Sequence, residues 1–282
     1  MAIDLPSDSD ADWERLDIDT SVAHVARVYD WLLGGGANFA VDRAAGERAY
    51  AAWPGGIAKV RADALAHRAL LGRVVRYLVR VAGITQFLDI GTGIPKENNV
   101  HEVAQLVAPE ARVVYVDHDP IVLAHAHQLL RGTPEGATKY VFGELREPEA
   151  ILVAAAETLD FGQPVAVLLF GVLHFFTAEE DPASIVGRLM APLVPGSCLA
   201  LSHLASDVSG DEMAETFRRL NEKLADTVVL RTRDELAALF GPLDLVDPGI
   251  VQLPDWRPEL GAPPAEPVPM WCGVGRKNDG HG

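Results

Sequence analysis

Asp89 stands near the end of a short apolar run, Gln86-Phe87-Leu88-Asp89-Ile90, that breaks into Gly91-Thr92-Gly93-Ile94-Pro95. An apolar run that stops in Gly-Thr-Gly predicts a buried parallel strand, whose glycines turn the chain sharply and let a ligand approach the backbone. A carboxylate at the end of such a strand is costly unless it accepts hydrogen bonds or faces a cation, so Asp89 points to a positively charged ligand. A second acid, Asp117, ends Arg112-Val113-Val114-Tyr115-Val116-Asp117. At the carboxyl end of a second strand in an open α/β sheet, a carboxylate is placed to hold both hydroxyls of a ribose. Asp119, directly before Pro120, is better placed to cap the helix that follows, which leaves Asp117 for the ribose.

Further along, Val165-Ala166-Val167-Leu168-Leu169-Phe170 opens into Gly171-Val172-Leu173-His174-Phe175-Phe176. His174 is the titratable side chain of that segment, and a histidine takes a proton near neutral pH. It is a candidate base, or else a core or ligand-side histidine held by a backbone carbonyl. His203, beside Ser202 at the end of another predicted strand, has the same two readings. His125 and His127, two apart on a predicted helix, point to different faces and do not form an i,i+4 metal pair, and His101-Glu102 does not supply one. Gly34-Gly35-Gly36 lacks the Lys-Ser/Thr of a phosphate-binding loop. Neither metal nor ATP is indicated.

The elements that must position these residues follow from the periods around them. Residues 1–19 are acidic and poor in apolar anchors, which fits a mobile tail. A helix is expected from a Ser21 cap, with Val22, Val25, Ala26, Tyr29, Leu32 and Leu33 on one apolar face and a stop at Gly34. A second is expected over Val41–Ala52 and a third over Ile57–Val81. Arg27, Tyr29, Asn38 and Asp42 stand out as polar or amphipathic residues in this region. They form either a structural network or a lid that contacts substrate.

From residue 84 the period changes. Strands expected at 85–90, 112–117, 139–142, 165–170, 198–203, 243–247 and 269–275 alternate with helices near 99–107, 120–130, 147–156, 182–191, 211–225 and 232–240. Such alternation predicts an α/β fold, a doubly wound, mostly parallel sheet. Asn99 with Glu102, and Thr232 with Glu235, have capping-box spacing. The expected division is a tail over 1–19, a helical cap over 20–83 and a ligand-binding domain over 84–277.

Composition narrows the function. The net charge of −16 and the absence of a Lys/Arg cluster argue against nucleic acid. No apolar run is long enough to span a bilayer, and the acidic N-terminus lacks the regions of a signal peptide, so a cytoplasmic location without membrane partners is expected. Cys198 and Cys272 are expected to be packing residues.

Asp89-x-Gly91-x-Gly93 followed by a strand ending in Asp117 resembles the class I S-adenosylmethionine-dependent methyltransferases, although Pro95 stands where their loop carries a third glycine. The stretch from Ser21 to Gly35 with Asn38-Phe39, Asp42 and Asn99-Val100-His101-Glu102 is similar to an actinobacterial family of such enzymes, once catalogued as a domain of unknown function. The resemblance runs from Ser21 to Lys277. It implies a seven-stranded sheet of the Rossmann-like type whose last strand inserts antiparallel, with S-adenosylmethionine as cofactor and S-adenosylhomocysteine as product. Asp89, Gly91, Gly93, Asp117, His118 and Gly171 would bind that cofactor, with Glu144 on the adenine amino group and Leu145 as a wall for the ring. His174 would face a small-molecule acceptor, with Arg27, Tyr29, Asn38, Asp42 and His203 on the substrate or lid side. Two other readings stay open: a protein that binds this cofactor without transferring its methyl, and a nicotinamide-dependent oxidoreductase, against which the missing third glycine counts.

Overall fold

Each apolar run of the second part of the chain becomes a strand of one sheet. The computed structural model describes residues 20–51, 53, 55–119, 122, 132–210, 215, 217, 218, 221, 227–262 and 265–279. The expected tail over 1–19, His125 and His127, and most of the expected helices 120–130 and 211–225 lie outside them. Strands β1 (Gln86–Ile90), β2 (Arg112–Asp117), β3 (Ala137–Phe142), β4 (Ala166–Phe170) and β5 (Cys198–Leu204) are parallel. They are followed by β6 (Asp244–Leu245), β7 (Val251–Gln252) and β8 (Met270–Arg276). The order is β3-β2-β1-β4-β5-β8-β6, and β8 runs antiparallel to both β5 and β6. The inserted last strand is therefore present. The count of seven is corrected to eight, because β7 pairs with β8 over only two residues, too short to show a period.

Alternation along the strands feeds two cores. Phe87, Val113, Tyr115 and Leu168 pack against helices α3 (Gly56–Arg80) and α4 (Val100–Gln105). Leu88, Val114, Val167 and Leu199 pack on the other face against α5 (Pro148–Ala155), α6 (Pro182–Met190) and α7 (Arg233–Ala238). Both expected capping boxes form: Asn99 N donates to Glu102 Oε2 at 2.8 Å, and Glu235 N donates to Thr232 Oγ1 at 3.2 Å. Cys198 and Cys272 are buried and free. No helix among the described residues is long and apolar enough to cross a membrane.

Of the three N-terminal helices, the second and third lie within two residues of their expected bounds, and the first departs from expectation at its start. Helix α1 runs Val25–Leu32, its N-cap is His24 and not Ser21, and its buried residues are Arg27, Asp30 and Leu32. Val22 and Val25, expected on the buried face, are 61% and 50% exposed. The cause is Asp42, near the start of α2 (Ala40–Tyr50), which accepts from His24 N at 2.9 Å, Arg27 Nε at 3.0 Å and Phe39 N at 2.8 Å. One carboxylate thus satisfies orphan donors at the starts of both helices, which removes the need for a serine cap. Asp30 accepts from Asn38 Nδ2 at 2.8 Å and pairs with Lys96 from the loop after β1. A Cβ on Gly35 would overlap Lys96 Nζ and Asp30 Oδ1, so glycine is required where that pair passes.

The Arg27–Asp42 pair is 1% and 0% exposed. Replacing Arg27 by Ala leaves a buried carboxylate without its cation, and such breaks cost about 3–5 kcal/mol. Urea unfolding of Arg27→Ala should show a loss of that size. An unchanged midpoint would mean that the pair does not hold the helices.

Candidate functional site

The carboxyl ends of β1, β2 and β4 bring most of the expected residues together. Gly91 and Gly93 have φ of 72° and 65°, in the left-handed region that glycine enters without strain. A Cβ on Gly91 would lie 2.3 Å from Val172 Cγ2, so the loop after β1 passes directly against the loop after β4. Asp117 braces this geometry: Oδ2 accepts from Gly93 N at 2.9 Å and Oδ1 from Asp119 N at 3.0 Å. Burial raises its pKa against the pull of those two N–H groups. His118 is exposed, its Nδ1 3.8 Å from Asp117 Oδ1.

Asp89 is buried, and desolvation pushes its pKa up to about 7 despite the Thr92 side chain and the charge of Arg68. A carboxyl group poised in this way ionises readily once a cation is brought beside it.

The third strand is less convergent. Glu144 is engaged with Arg146 at 3.1 Å, and Arg146 Nε reaches Glu180 at 2.8 Å. Leu145 is packed within the core under α5 and α6.

Around Gly171, with φ of 68°, three histidines gather. A Cβ there would lie 3.3 Å from His67 Cε1 and 3.7 Å from His174 Cε1. His67 Nε2 is 2.6 Å from Ser202 Oγ and its Nδ1 is 3.2 Å from the Tyr29 hydroxyl, a chain that joins α1 and α3 to β5. His203 Nε2 accepts from Arg231 Nη1 at 2.6 Å, while its Nδ1 faces Leu204 O at 2.8 Å. Arg231 also donates to Leu173 O and Phe176 O, at 2.9 and 2.8 Å, and so fixes the segment carrying His174. His174 Nδ1 is buried without a hydrogen-bond partner. Burial first, then neighbouring positive groups, lowers His174 well below the usual histidine range and His67 to about 4.

The N-terminal helices lie across these ends. His24 Nδ1 pairs with Asp119 Oδ2 at 2.9 Å, Lys96 pairs with Asp30, and Tyr29 reaches His67. Arg27, Asn38 and Asp42 are bonded within the helices themselves and place α1 for these contacts. The hydrogen bond from His24 to Asp119 raises the His24 pKa, so the pair is fully present below the ordinary histidine value and is lost as pH rises through the raised one. An open depression between Arg112 and residues 156–162 lies at the opposite end of the strands, away from all of these groups.

His67, Arg68, His24, Asp30 and Lys96 were not singled out from the sequence. A signal existed for His67, which continues the buried stripe Val60, Ala64, Leu71, Val74 of α3 at helical spacing.

The model of a family described as S-adenosyl methyltransferase matches residues 11–278. The chain belongs to that family. A crystal structure of a DUF574 family protein from Streptomyces avermitilis has 41% identity and a TM-score of 0.85, covering 92% of this chain and 99% of that one. A protein from Thermobifida fusca, assigned provisionally to the methyltransferases, has 38% identity and a TM-score of 0.84 over 95% and 99% of the two chains. An S-adenosylmethionine-dependent methyltransferase from Anabaena variabilis shares the fold, with 14% identity and a TM-score of 0.52 over 83% of this chain and 94% of that one. Among curated proteins none matches.

The residues of this S-adenosyl methyltransferase family member fit the family's cofactor. A sulfonium and an ammonium suit the buried Asp89, and two left-handed glycines leave their backbone open to close approach.

Asp89 also governs a pH dependence of the free protein. Below the unfolded carboxyl pKa both states are protonated, and as pH rises toward 7 the unfolded chain gives up a proton that the folded one keeps. Asp89 therefore costs stability increasingly over that window and by a constant amount above it. Asp89→Asn should melt at a higher temperature than wild type at pH 8 and at nearly the same temperature at pH 4. A difference that does not change with pH would refute the raised pKa.

Proposed function

We propose that this protein transfers the methyl group of S-adenosylmethionine to a small-molecule acceptor and releases S-adenosylhomocysteine. The observation that carries the reading is the buried Asp89 beside the loop of Gly91 and Gly93, within a chain of the S-adenosyl methyltransferase family. The family lends no support to a nicotinamide cofactor or to binding without transfer. The net charge of −16 argues against nucleic acid as acceptor, and a cytoplasmic setting is part of the same reading.

When bound, the cofactor supplies a methyl already electrophilic on sulfur. The chain's task is to align a nucleophile with it and keep water out. Asp89, ionised, answers the positive charge. Asp117 has each oxygen engaged by one N–H, and each keeps a lone pair for a ribose hydroxyl. Gly171 keeps the wall between His67 and His174 free of a side chain. His174, neutral and with an unpartnered nitrogen, accepts the hydrogen bond or the proton of an acceptor hydroxyl or amine. Helix α1 covers the site through His24, Asp30 and Tyr29.

Calorimetry should find S-adenosylhomocysteine bound with a dissociation constant in the micromolar range, and no heat at millimolar ligand would overturn the reading. Near pH 7 the heat should differ between buffers of different ionisation enthalpy, as Asp89 gives up part of a proton. Asp117→Ala should lose ~2–4 kcal/mol of cofactor affinity, since charge-assisted hydrogen bonds contribute about 1.5–3 kcal/mol each and do not add fully.

His174 is tested by rate. Once an acceptor is found by transfer of labelled methyl, His174→Ala should lower turnover roughly 10²–10⁴-fold while S-adenosylhomocysteine affinity stays nearly intact. Rate retained in the variant would make His174 a wall. Affinity lost along with the rate would place it among the cofactor contacts.

A further inference from the structure

Arg68 is a cation on α3 whose position is fixed and whose bonding is incomplete. Its Nη2 donates to Glu97 O at 3.2 Å and to Asn99 Oδ1 at 3.0 Å. Asn99 is itself held, since its Oδ1 accepts from Lys96 N at 3.0 Å and its own N–H donates to Glu102. The guanidinium plane is therefore set in advance against the loop that follows β1. Its Nε is buried and has no hydrogen-bond partner. A buried donor left unmade is costly, and a guanidinium N–H more so than a neutral one.

The neighbouring cations have carboxylate partners, Arg27 in Asp42 and Lys96 in Asp30. Arg68 has no carboxylate partner among the described residues. Its charge is felt at Asp89, Tyr29 and His67, so it stands among the groups of the site and not on an outer surface.

We propose that Arg68 holds the carboxylate at the methionine end of the cofactor, and so makes the site select an amino-acid-bearing sulfonium or thioether over a shortened thioether nucleoside. The proposal rests on S-adenosylmethionine being the cofactor. That end of the ligand is a zwitterion, and the structure offers it one group of each sign at the glycine loop: the buried Asp89 for the ammonium and Arg68 for the carboxylate. A guanidinium held at one nitrogen keeps its remaining N–H groups in the planar fork that matches a carboxylate.

The test compares two ligands that share the adenosine and sulfur and differ in the amino-acid end: S-adenosylhomocysteine and 5′-methylthioadenosine. Calorimetric affinities of both are measured on wild type, Arg68→Gln and Arg68→Lys. Wild type should prefer S-adenosylhomocysteine. Arg68→Gln should weaken S-adenosylhomocysteine by about 10- to 100-fold, the range of a lost charge-assisted bond, and leave 5′-methylthioadenosine unchanged. Arg68→Lys should recover part of the preference, because the charge remains and the fork does not.

Unchanged 5′-methylthioadenosine binding also shows that the variant is folded with its site intact. If S-adenosylhomocysteine affinity survives in Arg68→Gln, or both ligands weaken together, Arg68 is a brace for residues 97–99 and the proposal is wrong. If wild type binds neither ligand, the cofactor reading itself fails, and this proposal falls with it.

Discussion

The Asp117 carboxylate is the point on which the site is assembled. A carboxylate at the end of a buried strand needs donors, and here the donors are the backbone N–H groups of Gly93 and Asp119. Meeting that need curls the loop after β1 toward β2 and sets the turn after β2, so one side chain shapes both walls. The turn puts Asp119 within reach of His24, and the loop puts Lys96 within reach of Asp30. The helices before the sheet are therefore fastened to the two segments that Asp117 organises. Asp30 and Asp42 obey the same rule, each engaged by a cation and by polar groups of its own segment. Desolvation outweighs the partners of both Asp117 and Asp89, and Asp89, its pKa pushed up to about 7, is engaged by the Thr92 side chain, with no backbone N–H among the groups that oppose the shift. A buried acid so perturbed beside a glycine loop is a candidate to meet a ligand.

The sheet was legible because burial on both faces leaves apolar runs, and the first four of them stop at glycine or an acid: Gly91, Asp117, Gly143 and Gly171. The strand count was not, since β7 is held to β8 by two residues and carries no pattern of its own. The first helix packs Tyr29, Leu32 and Leu33 as its apolar spacing predicts, but its start differs for a physical reason. Val22 and Val25 have the spacing of a buried face, yet which face turns inward was decided by Asp42 and Lys96, partners distant in the chain. Periodicity weighs apolar residues only, so a face buried through ion pairs is invisible to it. That Asp89, Gly91, Gly93 and Asp117 lie together at the strand ends was legible because an acid beside glycines at a strand end has few structural uses. Arg68 was not, because an arginine in a long helix is ordinarily a solvated residue, and nothing in sequence shows that its Nε is buried.

The histidines around Gly171 show how a site separates one reactive group from its supports. His203 is held between Arg231 and Leu204 O, and His67 between Tyr29 and Ser202, so the ring nitrogens of both are engaged. Desolvation keeps both neutral near physiological pH, at about 4. Their bonds fix the walls: His203 and Arg231 together position the segment of His174, and His67 ties β5 to the cap through Tyr29. His174 alone of the three has a buried nitrogen with no partner. In the proposed reading an acceptor therefore meets one uncommitted imidazole in a frame of committed ones. In the same reading, the hydrogen bond between Tyr29 of α1 and His67 of α3 would tie closure of the cap to completion of the acceptor wall. Opening α1 to admit a cofactor would then withdraw Tyr29 from His67 and loosen the support behind Gly171, a coupling that would favour transfer with the site shut against water.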